Sequence, residues 1–226
     1  VETRGKALLT HFEHGYSIYS HNQLYGIWKV VKGHKLPKTN RSLRLLLQTD
    51  THSAILYSAS DISVWATDEL DTHPFLKKIG PDIMNKDLHW RDVAKRLSDP
   101  QFASKSLASL YLDQAFLAGN GNYLRSDILH DAGLHHMRQP GELTKGEIGR
   151  LARSTLTLSS RSYQTGGITL ATRLAKSFQS QGLSFGQRRF YVFGRTGRPC
   201  YHCSQEIERR EIGGRRLYLC SNCQPE

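Results

Sequence analysis

CYHCSQEIERREIGGRRLYLCSNC, residues 200–223, is the stretch on which the reading of the fold turns. It holds all four cysteines of the chain, as the pairs Cys200–Cys203 and Cys220–Cys223, with 16 residues between the pairs. Two CxxC turns that each aim two sulfurs inward, joined by enough chain for two short strands, are the layout of a four-thiolate zinc site on a β-hairpin. The segment between them reads as a strand, a Gly213-Gly214 turn and a second strand with Leu217 and Leu219 on one side. A pair of disulfides is the other reading; nothing marks the chain as secreted, and paired CxxC favours metal. Four thiolates leave no open coordination position, so one zinc here is structural. From residue 187 onward there are eight arginines against four acidic residues. A metal-stapled arginine hairpin suits a phosphate partner.

The whole chain carries the same bias. Lysine plus arginine is 31 against 20 acidic residues, for a net charge of +11 and a pI near 9.6. That balance favours nucleic acid or an anionic surface. No apolar run approaches the ~20 residues that span a bilayer, and the N-terminal residues lack a signal-peptide layout. A solvated basic surface with no specific partner is the bland alternative.

Organisation follows from pattern. Residues 6–14, 16–21, 25–32, 41–48 and 54–58 are short apolar or alternating runs broken by turn signals, which predicts antiparallel strands of a sandwich. The chain opens on Val1-Glu2-Thr3, as if inside a domain, and these strands are few for a closed sandwich, so sequence upstream is expected. Two prolines and a glycine between His73 and Asp82 read as a hinge. Helical spacing then predicts helices over 90–97, 106–118, 123–132 and 144–159, the last with Thr144 as N-cap and Glu147 completing a capping box. Residues 160–186, rich in Ser, Gly, Gln and Thr, read as a mobile linker. The expected class is α+β, with a sandwich domain at 1–72, a hinge at 73–85, a helical domain at 86–186 and a zinc finger at 187–226.

Between two of the predicted helices stands Gly119-Asn120-Gly121-Asn122. Glycines around an asparagine at a helix start can place backbone N–H groups, and the Asn122 amide, against a phosphate. An ordinary corner with a glycine C-cap is the competing reading.

The strings TRGKALL at 3–9, SHNQLYGIW at 20–28, HPFLKKIGPD at 73–82 and LDQAFLAGNGNYLRSDIL at 112–129, followed by the four-cysteine hairpin, occur in this order in one family. The chain resembles the endonuclease VIII branch of the formamidopyrimidine-DNA glycosylase superfamily along essentially its whole length. The resemblance implies a β-sandwich domain, a hinge, a helical domain with a helix–two-turns–helix motif, a zinc finger, and duplex DNA with an oxidised base or abasic site in the cleft between domains. It also implies a monomer in the bacterial cytoplasm, associated with the nucleoid. A damaged base must leave the stack to be excised, and the triplet matching Gln23, Leu24 and Tyr25 fills the gap. The amide pairs with the orphaned base while the other two side chains supply stacking surface. On composition alone, Leu24 and Tyr25 read as strand residues at a sheet edge, and Lys6 as an exposed strand lysine. By resemblance Lys6 reaches the active site and holds a phosphate near the lesion. Asn122 and Arg215 grip phosphates, and Arg209, Arg210 and Arg216 supply general electrostatics.

One departure is large. The family's nucleophile, a terminal proline amine, and its acid–base glutamate lie in a Pro-Glu-Gly-Pro-Glu opening that does not occur in residues 1–226. Two functional classes follow. One is a bifunctional DNA glycosylase and abasic-site lyase for oxidised pyrimidines, its nucleophile outside these residues. The other is a non-catalytic, zinc-containing binder of abasic or damaged DNA. A zinc-ribbon protein for RNA or ribosomes would share the charge and cysteines, but not the Gln-Leu-Tyr triplet together with the GNGN turn.

Overall fold

The computed structural model describes all residues, Val1–Glu226, as two compact units, Val1–Lys78 and Ile79–Glu226. The first unit is β throughout: β1 Glu2–Arg4, β2 Ala7–His11, β3 Tyr16–His21, β4 Ile27–Lys32, β5 Leu43–Gln48, β6 His52–Tyr57 and β7 Asp61–Ala66. They form two antiparallel sheets, ordered β1-β2-β3-β7 and β4-β6-β5. Alternation in β2 sends Ala7 and Leu9 into the core, and Tyr19, Ile55 and Leu56 are fully buried from neighbouring strands. Two strands escape the sequence pattern. Strand β1 is a polar tripeptide recruited by its register on β2, Glu2 opposite Leu9 and Arg4 opposite Ala7. Strand β7 is half-buried at the sheet edge with Val64 exposed, so its short alternation marks no buried face.

The second unit carries α1 Trp90–Leu97, α2 Leu107–Leu110, α3 Asn122–Asp131, α4 Lys145–Gln164 and α5 Thr172–Ser180, then the hairpin of β8 Glu208–Ile212 and β9 Arg215–Leu219. Thr144 caps α4 and accepts from the Glu147 backbone N–H at 3.3 Å. The Glu147 carboxylate closes the capping box and pairs with Arg138 at 2.9 Å, a cap worth about 1 kcal/mol.

The helix expected over 106–118 is corrected to the four residues of α2. The Asp113 carboxylate takes the Ala115 backbone N–H at 2.9 Å, and reverse turns close by hydrogen bonds from Asp113 N to the Leu110 carbonyl and from Phe116 N to the Asp113 carbonyl, 3.0 Å each. A side chain that captures its own backbone ends a helix. Helix α2 and the turns after it bury Leu107, Leu110, Tyr111, Phe116 and Leu117, so the helical spacing of the sequence is met by one short helix followed by turns.

The linker expected over 160–186 is also corrected. Helix α4 continues through Gln164, and α5 presents Leu174, Ala175 and Phe178 to a core shared with Tyr191, Val192, Ile207 and Tyr218. The last three residues of β9 are buried on both sides of the strand. Leu217 and Leu219 join the helical core, while Tyr218 joins the core around the cysteines.

Candidate nucleic-acid interface and metal centre

In the first unit, the loop between β3 and β4 presents Leu24 and Tyr25 at 72% and 70% exposure. Its base is fixed. The Gln23 backbone N–H donates to His21 Nδ1 at 2.9 Å and its Nε2 to Asp61 at 3.1 Å. Arg41 donates to the Tyr25 carbonyl at 2.8 Å. A Cβ at Gly26 would stand 2.5 Å from the Asn22 carbonyl oxygen, so the chain can close this tightly only on glycine. Two adjacent large apolar side chains are thus held into solvent by an ordered loop, not placed in a strand edge.

Lys6 lies in the Gly5-Lys6 turn between β1 and β2, not within a strand, and its side chain is exposed. It adjoins the same loop. Burial pushes the His21 imidazole down, Asp61 opposes this, and the charge of Lys6 adds to the depression. Asp61, which sequence reasoning missed, organises the cluster. It accepts from Tyr19 at 3.3 Å and from Gln23.

In the second unit, Asn122 opens α3 after Gly121. Arg125, one turn on, is fully buried. It donates to the Ala108 carbonyl at 3.0 Å, to the Arg216 carbonyl at 3.0 Å and to Asn122 Oδ1 at 3.5 Å. One guanidinium therefore ties α2, the start of α3 and the hairpin together. Because it occupies the carbonyl side of the Asn122 amide, the donor side is the one offered to a ligand. Burial, with a smaller push from Arg215, lowers Arg125 to about 10, which leaves it charged at neutral pH. Arg215 is exposed at the first position of β9, after a turn in which Gly213 and Gly214 both have positive φ, 57° and 69°. Arg125 thus links Asn122 at the start of α3 to β9, the strand that begins at Arg215. Gln23, Leu24, Tyr25 and Lys6 gather separately in the first unit.

Asp127 was not legible as functional. It is fully buried and accepts from the backbone N–H groups of Tyr191, Val192 and Phe193 at 2.8, 3.1 and 3.1 Å, and from the Thr169 hydroxyl. Burial raises its pKa and the four donors oppose the shift. This side chain anchors the approach to the cysteines onto α3.

Cys200, Cys203, Cys220 and Cys223 converge at the base of the hairpin, and none forms a disulfide. Sulfur separations are 3.8 Å for Cys200–Cys223, 3.4 Å for Cys203–Cys220 and 3.5 Å for Cys203–Cys223. Four thiolates about 2.3 Å from a tetrahedral ion stand about 3.8 Å apart, so the set fits one metal ion. The His202 backbone N–H points at Cys200 Sγ, 3.4 Å away. The Gln205 backbone N–H, then the Asn222 side chain, pull the Cys203 thiol down to about 6. Burial raises Cys220 and Cys223.

No family model matches the chain. Among solved structures, the formamidopyrimidine DNA glycosylase of Lactococcus lactis bound to DNA containing an AP site superposes with a TM-score of 0.79 at 21% identity, over 100% of this chain and 80% of that one. MutM in complex with carbocyclic 8-oxo-G containing DNA gives 0.81 at 21%, over 100% and 80%. These likenesses define the fold as that of the formamidopyrimidine-DNA glycosylase class. The endonuclease 8 proteins of Enterobacter sp. (strain 638) and of Escherichia coli O17:K52:H18 (strain UMN026 / ExPEC) are 43% and 44% identical to it over 224 residues, 99% of this chain and 82% of each relative. The chain belongs to the endonuclease 8 family. No helix is long and apolar enough to cross a membrane.

Proposed function

We propose that this protein is a base-excision-repair DNA glycosylase and abasic-site lyase for oxidised pyrimidines, working as a monomer on duplex DNA. The observation that carries the reading is the loop that holds Leu24 and Tyr25 more than two-thirds exposed on a braced frame. An ordered protein that offers adjacent apolar side chains to water has a partner to receive them, and an opened base stack is such a partner. Gln23, beside them, supplies an amide for the orphaned base. Lys6 holds a phosphate close to the lesion, and Asn122 and Arg215 hold phosphates from the second unit. The four cysteines hold one zinc, whose work is to fix β8 and β9 so that Arg215 meets the backbone. Residues 73–85 serve as the hinge between a sandwich domain, 1–72, and the helical and zinc-finger segments, 86–186 and 187–226. The amine and the acid–base carboxylate of excision belong to a Pro-Glu segment, as in the family, while the residues described here bind, open and position the DNA.

Binding to an abasic-site duplex tests these assignments. Arg215→Ala should weaken binding in every sequence context and lower the salt slope by about one. Leu24→Ala should reduce the preference for abasic over intact duplex while sparing affinity for intact DNA. If Arg215→Ala binds like the parent while Arg198→Ala does not, the hairpin assignment is wrong.

A further inference from the structure

The metal centre has an imidazole at its shoulder. His130 lies in the last turn of α3 at 2% exposure. Its Nε2 stands 3.5 Å from Cys200 Sγ. Its donor atom and those of His202 and Cys223 all lie within 4.8 Å of one another. On one tetrahedral zinc-class ion, a ligating imidazole nitrogen and a thiolate sulfur sit about 3.5 Å apart. His130 is therefore the imidazole that stands next to the coordination position Cys200 fills. The ring stacks on Tyr191, centroids 5.7 Å apart, and its other nitrogen, Nδ1, is buried without a hydrogen-bond partner, an orphan that packing alone does not explain. A polar residue on a rigid helix, orphaned on one side and against a thiolate on the other, is placed for the ion.

We propose that His130 is a replacement ligand for Cys200, so that the centre can hold its ion through Cys203, Cys220 and Cys223 with either Cys200 or His130 as the fourth donor. The inference rests on the reading of the cysteines as a zinc site. His202 is the weaker candidate. It is exposed, with its ring 5.0 Å from that of His130, and it would have to leave water to ligate. Cys220 has no such understudy: the imidazole contact of His130 is to the Cys200 sulfur. In the four-thiolate state His130 donates its Nε2–H to the Cys200 sulfur. With the thiolate gone, the same nitrogen turns its lone pair to the ion and the proton resides on Nδ1.

The test compares the full chain, Cys200→Ala and Cys220→Ala, each with and without His130→Phe, for zinc retained after dialysis, and loads each with cobalt(II). The parent and His130→Phe should each keep one ion, which checks the thiolate site and the folding of the variant by themselves. Cys200→Ala should keep one ion at an affinity lowered about 10- to 100-fold and lose it when His130→Phe is added. Cys220→Ala should lose it in either background. Cobalt-loaded Cys200→Ala should show one strongly shifted, exchangeable imidazole N–H proton in its NMR spectrum, a reading that needs no second substitution. Cys200→Ala as metal-poor as Cys220→Ala, retention unaffected by His130→Phe, or absence of the shifted proton would each overturn the proposal.

Discussion

Stripping the metal should cost the protein its hairpin and, with it, most of its grip on DNA. Strands β8 and β9 are five residues each and form a two-stranded sheet of their own, which is marginal in isolation. Their base is closed by the four sulfurs, of which Cys200 and Cys220 are buried. Without an ion, buried thiols crowd where a tetrahedron stood, and Leu217, Tyr218 and Leu219 lose the frame that presses them into two cores. Structural zinc contributes on the order of 10 kcal/mol in small fingers. Native mass spectrometry should find one zinc per chain. Removal by a strong chelator should lower Tm by at least about 10 °C, and affinity for an abasic duplex should fall on the order of 100-fold as Arg209, Arg210, Arg215 and Arg216 lose their scaffold. Returned zinc should restore both. A metal-free protein with unchanged Tm and DNA affinity would contradict the structural role.

Asp127→Ala should be among the most damaging single changes outside the cysteines. The carboxylate is the acceptor for three consecutive backbone N–H groups, Tyr191 to Phe193, at a fully buried position. Its removal orphans them at an expected cost of about 3–5 kcal/mol. Asp127→Asn should rescue little. Whichever side its NH2 occupies, it meets at least one N–H, since Tyr191 faces one oxygen while Val192 and Phe193 face the other. Thermal unfolding of both variants checks this, with Tm falling on the order of 10 °C. An Asn variant as stable as the parent would show that the three N–H groups have other acceptors.

The parts of the fold written in local chemistry were legible. The CxxC spacing located four cysteines that do converge, the Gly213-Gly214 pair set the hairpin turn, and the Thr144–Glu147 box marked the start of α4. Amphipathic spacing bounded α1 at Trp90 and Leu97. What stayed hidden depends on tertiary partners. Strand β7 is recruited by β3, and α5 looked polar because its apolar face is just Leu174, Ala175 and Phe178. Asp113 ended a helix that periodicity would have continued. The site divides in the same way. Gln23, Leu24, Tyr25, Lys6, Asn122 and Arg215 were named through the family's motifs, and the structure adds the groups that aim them. Arg125 and Asp127 read as ordinary charges on a helix, yet α3 is buried along nearly its whole length, and neither role can be seen until Arg216 and residues 191–193 are in place.

The central claim is that these residues deliver DNA to an amine-dependent excision carried by a Pro-Glu segment. Borohydride trapping on a thymine-glycol duplex tests it most directly. The polypeptide Val1–Glu226 alone should bind the duplex and give no glycosylase product, with at most slow cleavage at abasic sites. The same residues joined behind a segment beginning Pro-Glu-Gly-Pro-Glu from a family member should be trapped as a covalent complex, since imine formation needs an amine within ~3–3.5 Å of the sugar carbon and an acid–base group in reach. No trapping by the extended chain would contradict the glycosylase reading. Efficient trapping by Val1–Glu226 alone would contradict the assignment of the nucleophile and turn attention to Lys6 and the Val1 amine.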